Sequence, residues 1–151
     1  MRGNLFSTAY LVSNAGALII LLISIWFKRT GRVIIGCLFL TAALVNAWQA
    51  IYRPEAYNIY EWLAALPVYE YLIGRVFLVH ITLYILILMV LQLFIGMGIL
   101  FKNRTALLLA IIYLLALAPL GAGSSFPCTL ILAIACLLHL KKNNIATSPV
   151  I

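Results

Sequence analysis

Asn46, Gln49 and Arg53 stand at i, i+3 and i+7, a spacing that places them on one face of a helix. His80 follows Arg75 by five residues, roughly 7.5 Å further along a helix that rises about 1.5 Å per residue. Tyr84 lies one turn beyond it on the same face. Together with Glu55, Glu61 and Glu70, these groups could line a pocket for a lipid headgroup or a quinone ring. His80 and Tyr84 would donate hydrogen bonds, and Arg53 or Arg75 would hold an anion. The candidate ligand-binding set is Asn46, Gln49, Arg53, Glu70, Arg75, His80 and Tyr84. The competing reading is structural: Asn46 and Gln49 bond to neighbouring helices, at about 0.6 kcal/mol per bond.

Other chemistry finds little support in the residues. Cys37, Cys128 and Cys136 form no Cys-x-x-Cys pair, and the last two lie too far apart on one helix for a disulfide, so they read as small apolar side chains. No His-x-x-x-His, Glu-x-x-His or Cys/His cluster has metal-ligand spacing, and no phosphate-cradling glycine loop is visible. Ser124 and Ser125 have no sequence-evident base. His139, beside Lys141 and Lys142, reads as an interfacial residue. Gln92, followed by Gly96 and Gly98, reads as an interhelical hydrogen-bonding group beside glycines that permit close backbone approach. Ser13 with Ala17, and Ala43 with Ala47, suggest similar small-residue contacts. No cofactor is evident from the residues, although a quinone or bound lipid would suit the pocket.

The elements that must position these groups follow from composition. Of 151 residues 66% are hydrophobic and 9% charged, with a mean hydropathy of +1.17 and a formal net charge of +7. Soluble domains carry roughly 25% charged residues, so a soluble globule, a disordered tail and a nucleic-acid-binding module are all disfavoured. The formal charges leave four uncharged runs, Leu5–Phe27, Val33–Tyr52, Val76–Phe101 and Thr105–Leu140. A helix needs about 20 apolar residues to cross a bilayer, so each of the first three reads as one span. The fourth would reach roughly 54 Å as a single helix, and the turn-forming stretch from Pro119 to Pro127 divides it.

The expected architecture is an all-α integral membrane protein. One domain, 1–151, forms a compact bundle of five transmembrane helices at about 5–27, 33–52, 76–101, 105–120 and 125–140, with an outer loop at 53–75. Five crossings put Lys28, Arg29, Arg32, Lys102, Arg104, Lys141 and Lys142 on one side and Arg2, Arg53 and Arg75 on the other. Four crossings would divide the basic residues evenly, so the positive-inside bias favours five, with the N-terminus outside and the C-terminus cytoplasmic. A re-entrant hairpin over 105–140 would give the same bias. The first run lacks the charge order and Ala-x-Ala site of a cleavable signal. The connections at Lys28–Arg32 and Lys102–Arg104 are short enough to make their flanking helices antiparallel neighbours, and the residues after Lys142 read as a frayed tail.

The outer loop holds every acidic residue and many aromatic ones. Ile59, Tyr60, Leu63 and Leu66 recur at helical spacing, which predicts a short interfacial helix over Glu55–Leu66 stopped by Pro67. It is either a simple connection at the membrane surface or a lid over a ligand site.

From Gly31 to about residue 140 the chain resembles the DoxX-like membrane proteins. The resemblance rests on the opening Gly31-Arg32-Val33-Ile34-Ile35-Gly36-Cys37-Leu38-Phe39-Leu40, a proline-containing outer loop and Leu91-Gln92-Leu93-Phe94-Ile95-Gly96-Met97-Gly98-Ile99-Leu100. A basic turn at Lys102–Arg104 and the entry Phe126-Pro127-Cys128-Thr129-Leu130 complete it. It implies a four-helix core, to which Leu5–Phe27 adds an N-terminal span. Where the family often has a Glu before the Leu-x-x-Gly stretch, this chain has Gln92. The family includes quinone-linked membrane subunits of sulfur-compound oxidation, companions of thiol systems and proteins that help others fold or traffic.

The expected function is that of a non-catalytic partner subunit or assembly factor in the inner (cell) membrane, contacting the lipid bilayer and either a membrane-protein partner or a second copy, with no nucleic acid. The alternative is a quinone-linked oxidoreductase subunit using the outer-leaflet pocket. A transporter is weaker, because no broken-helix pair or buried charge marks a substrate path.

Overall fold

The computed structural model describes residues 8–120 and 126–145, with no side-chain description for 142–145. The expected turn residues Gly121–Ser125, the tail from Ala146, Arg2 and the start of the first span at Leu5 lie outside the described residues. Among the described residues the chain is helical and forms no β-strand. The α-helices are α1 (Thr8–Trp26), α2 (Lys28–Tyr52), α3 (Ile59–Leu63), α4 (Pro67–Leu72), α5 (Ile81–Leu100), α6 (Arg104–Leu117) and α7 (Cys128–Ile145).

Among the described residues three helical segments are long and apolar enough to cross a membrane: Thr8–Trp26, Lys28–Tyr52 and Pro67–Leu100. Arg104–Leu120 and Cys128–Lys141 are shorter apolar helices.

Two expected boundaries move. The basic stretch Lys28–Arg32 is the first turn of α2, not a loop, and Phe27 alone separates α1 from α2. Lys and Arg are good helix formers and nothing in Lys28-Arg29-Thr30-Gly31-Arg32 forbids the helix. The 53–75 segment is mostly helical. A 3-10 turn over Pro54–Asn58 leads into α3, which ends at Leu63, short of Leu66. Pro67 does not stop that helix; it starts α4, where its fixed φ suits the first helical position. From Pro67 the chain stays helical to Leu100, through a π-helical turn at Ile73–Phe77 and a 3-10 turn at Leu78–His80. The path bends at His80, whose backbone (φ −133°, ψ 49°) leaves the helical region.

The principal core joins four helices: Ile35 and Phe39 of α2, Ile95 and Ile99 of α5, Leu107 and Leu114 of α6, and Ala133 and Cys136 of α7. Helix α1 lies against α7 and α2 and buries only Ala17 and Ser24. The largest interface is α2 with α5, and glycine sets its closeness. A Cβ at Gly36 would stand 3.2 Å from the Gly96 carbonyl oxygen, and one at Gly96 would stand 3.0 Å from that of Gly36. A methyl at either position would press on the opposite carbonyl and on the side chain of Leu100 or Leu40, so the glycines favour a close approach of the two helices.

The α5–α6 corner is closed locally. Lys102 takes a left-handed conformation (φ 62°), Asn103 N–H donates to the Gly98 carbonyl and Lys102 N–H to that of Ile99, the pattern of a Schellman cap. The Asn103 side chain then accepts from Thr105 N–H at 2.8 Å and starts α6. A Cβ at Gly98 would collide with Ala106, so this glycine admits α6 against α5.

Candidate functional site

Gln92 is buried, 4% exposed, on α5. Its Oε1 accepts a hydrogen bond of 2.9 Å from Asn46 Nδ2 on α2, and its side chain also hydrogen-bonds the Tyr113 hydroxyl on α6. The remaining acceptor of Asn46, Oδ1, takes a hydrogen bond of 3.0 Å from the Tyr57 hydroxyl. Tyr57 belongs to the 3-10 turn after α2, so this chain of amides and phenols links α2, α5, α6 and the 53–75 segment. Burial, with Tyr60 beside it, pushes the Tyr57 hydroxyl up to about 12, so it remains a donor throughout the physiological range. Thr82 adds a bond of 3.2 Å to the Ala50 carbonyl, joining the start of α5 to the end of α2.

The seven candidate residues are distributed over several places. Asn46 points into the network just described. Arg53 is exposed, with its guanidinium 5.8 Å from the centroid of the Trp48 ring. Gln49 is half-buried on the same helix. His80 is exposed and lines a shallow, largely apolar groove with Val79, Thr82, Leu83 and Leu86. Tyr84 stacks on Phe77, with ring centroids 5.8 Å apart. Glu70 and Arg75 come together, in a groove of about 540 Å³ shared with Glu61, Tyr71 and Gly74.

A second, more apolar groove of about 750 Å³ opens on the other side of Pro67 and Glu70. Leu63, Leu66, Pro119, Phe126 and Leu130 are among its walls. The segment that forms one wall is fastened down: Ala65 N–H donates to the Pro119 carbonyl at 2.9 Å and the Tyr69 hydroxyl to that of Ala116 at 3.2 Å. A cavity of this size suits a small apolar ligand or part of a larger one.

Several of these participants are hard to find in the sequence. Tyr57 and Tyr113 look like members of an aromatic surplus, and only the packing of three separate segments selects them as partners of Asn46 and Gln92. Gly36 carries half of the α2–α5 approach without any special spacing. His139 is buried, 2% exposed, and in reach of the charges of Arg32 and Lys28 on α2, because α7 turns this face towards the bundle while α2 carries its basic first turn alongside. Among the described residues no group of His, Cys, Asp and Glu is placed to hold a metal ion, and all three cysteines are free thiols.

No family model, no curated protein and no solved structure matches this chain.

Proposed function

We propose that the chain is a multi-pass inner-membrane protein of DoxX-like type, with five crossings and a cytoplasmic C-terminus, that serves as a non-catalytic partner subunit or assembly factor. One observation carries this reading. The polar side chains Asn46, Gln92, Tyr57 and Tyr113 are engaged with one another, while the long helices turn large apolar side chains outward, among them Leu11, Ile19, Leu44, Ile51, Leu83 and Phe94. A belt of that kind suits lipid or the apolar face of another membrane protein.

Three experiments test it. Alkaline carbonate should leave the protein in the membrane pellet. In a cysteine-less background, maleimide should reach a cysteine at Glu55 from outside, one at Asn103 only from the cytoplasm and one at Ser124 from outside. Protection of Ser124→Cys from both sides favours a re-entrant hairpin over two crossings. Turnover of a quinone with a sulfur or thiol donor by the purified chain alone overturns the non-catalytic reading.

A quinone-linked subunit is the second reading, favoured by the apolar groove beside Glu70. It expects quinone to copurify and His80→Ala to lower its retention. Unchanged retention removes His80 from any such site.

A further inference from the structure

The two grooves at the 53–75 end share Pro67 and Glu70, so they adjoin across these residues as the apolar limb and the charged limb of a cleft. Glu61 and Glu70 supply two carboxylates to the charged limb and Arg75 one guanidinium. Gly74 belongs to this arrangement, because a Cβ there would strike the Glu61 carboxylate. The wall between the limbs is held to the end of α6 by the Tyr69–Ala116 hydrogen bond and to the 3-10 turn after it, Ala118–Leu120, by the Ala65–Pro119 bond.

We infer that this cleft binds a zwitterionic phospholipid whose head carries a primary ammonium and a phosphate, its chain lying in the apolar limb. The inference rests on the membrane reading above and names the ligand class of that face. Charge complementarity selects the occupant. Arg75 offers a planar fork of donors that matches a phosphate, while an ammonium with three N–H donors can bond both carboxylates. A quaternary ammonium has no N–H to donate. A head that carries only the phosphate charge leaves two carboxylates repelling it, and a quinone ring, whose carbonyls only accept, uses Arg75 but neither carboxylate.

The test is competitive lipid retention. The full chain, purified in mild detergent, is equilibrated with an equimolar mixture of phosphatidylethanolamine, phosphatidylcholine and phosphatidylglycerol of identical acyl chains. Bound lipid is then counted by mass spectrometry. Phosphatidylethanolamine should be retained severalfold over either competitor. Glu61→Gln with Glu70→Gln should bring it level with phosphatidylcholine, and Arg75→Gln should lower retention of all three. Gly74→Ala, which crowds Glu61 without altering any charge, should also weaken the preference. Equal retention by the wild type, a preference for phosphatidylglycerol, or copurifying quinone that the lipid mixture cannot displace overturns the inference. A chain stripped from membranes by carbonate overturns the membrane reading itself, whereas one that stays embedded without the preference overturns only this ligand.

Discussion

Across the α2–α5 seam the buried amides and phenols find partners: Asn46 with Gln92, Tyr57 with Asn46, Gln92 with Tyr113. Around α1 and α7, Asn14 Oδ1, His139 Nε2 and Ser24 Oγ, the last packed against Gly31 of α2, are buried with no hydrogen-bond partner among the described residues. The seams also differ in approach. Gly36 and Gly96 let α2 and α5 approach closely, whereas Gly16 lies on an open face of α1, where an added Cβ would meet nothing within 4 Å. An unsatisfied buried polar group costs about 1–3 kcal/mol, so the first seam specifies one register, whereas the α1 and α7 side leaves several buried polar atoms unsatisfied. The Ser13–Cys128 hydrogen bond is a polar link between α1 and α7.

The contrast is broken most directly at the glycines. Gly96→Val forces a side chain against the Gly36 carbonyl and Leu40 and should cost about 1–3 kcal/mol, the usual range for overpacking, in equilibrium unfolding with SDS. Gly16→Val, in open space, should change stability far less. Equal losses at the two positions would falsify the distinction between the seams.

Next in size is the amide pair. Gln92→Leu removes the acceptor of Asn46 and the partner of Tyr113 and should cost about 1 kcal/mol, within the range of interhelical hydrogen bonds in membrane bundles. A double-mutant cycle with Asn46→Ala should return a positive coupling. Strict additivity would mean that the 2.9 Å contact contributes nothing.

Tyr57→Phe removes the donor to Asn46 Oδ1 and should cost about 0.6 kcal/mol at neutral pH. Its pH dependence is the sharper readout. The folded-state value of the hydroxyl is about 12 against an ordinary 10.0, so the folded chain holds this proton more tightly than the unfolded chain. That contribution is complete below pH 10 and is lost as pH rises through 12. The alkaline loss of stability should therefore be smaller in Tyr57→Phe; identical alkaline profiles would remove Tyr57 from the network.

The smallest effect belongs to the other seam. Ser24→Ala deletes a hydroxyl that is 1% exposed and unpartnered, and it should leave stability within about 0.5 kcal/mol of wild type or raise it. A loss comparable to that of Gln92→Leu would show that Ser24 has a partner after all.

Much of the fold is legible along the chain because a helix is a local structure. The three long apolar runs correspond to long helices, and the division of the fourth run falls between α6 and α7. Gln92 is readable as a helix-to-helix bond because an amide amid an apolar run has few other uses. The ends of the runs are less legible. A charge boundary marks where polarity changes, not where the backbone stops being helical, so α2 begins at Lys28 and helical backbone resumes at Pro67. The candidate pocket is the least legible part. Residues seven apart on α2 share a face, but Arg53 stacks over Trp48 while Asn46 turns inward, and the bend at His80 separates its groove from that of Glu70 and Arg75.

By itself, the sequence determined an all-helical chain with several long apolar helices and all its carboxylates in one segment. Periodicity and charge placement are written residue by residue, and the backbone satisfies itself within each helix. Only the tertiary structure decided which polar groups meet, that Gly36 faces Gly96, that His139 is buried, and that Glu61, Glu70 and Arg75 share a groove next to an apolar one. Those outcomes depend on helix rotation and on the π and 3-10 turns between Ile73 and His80, where a small change in backbone path re-aims every side chain that follows.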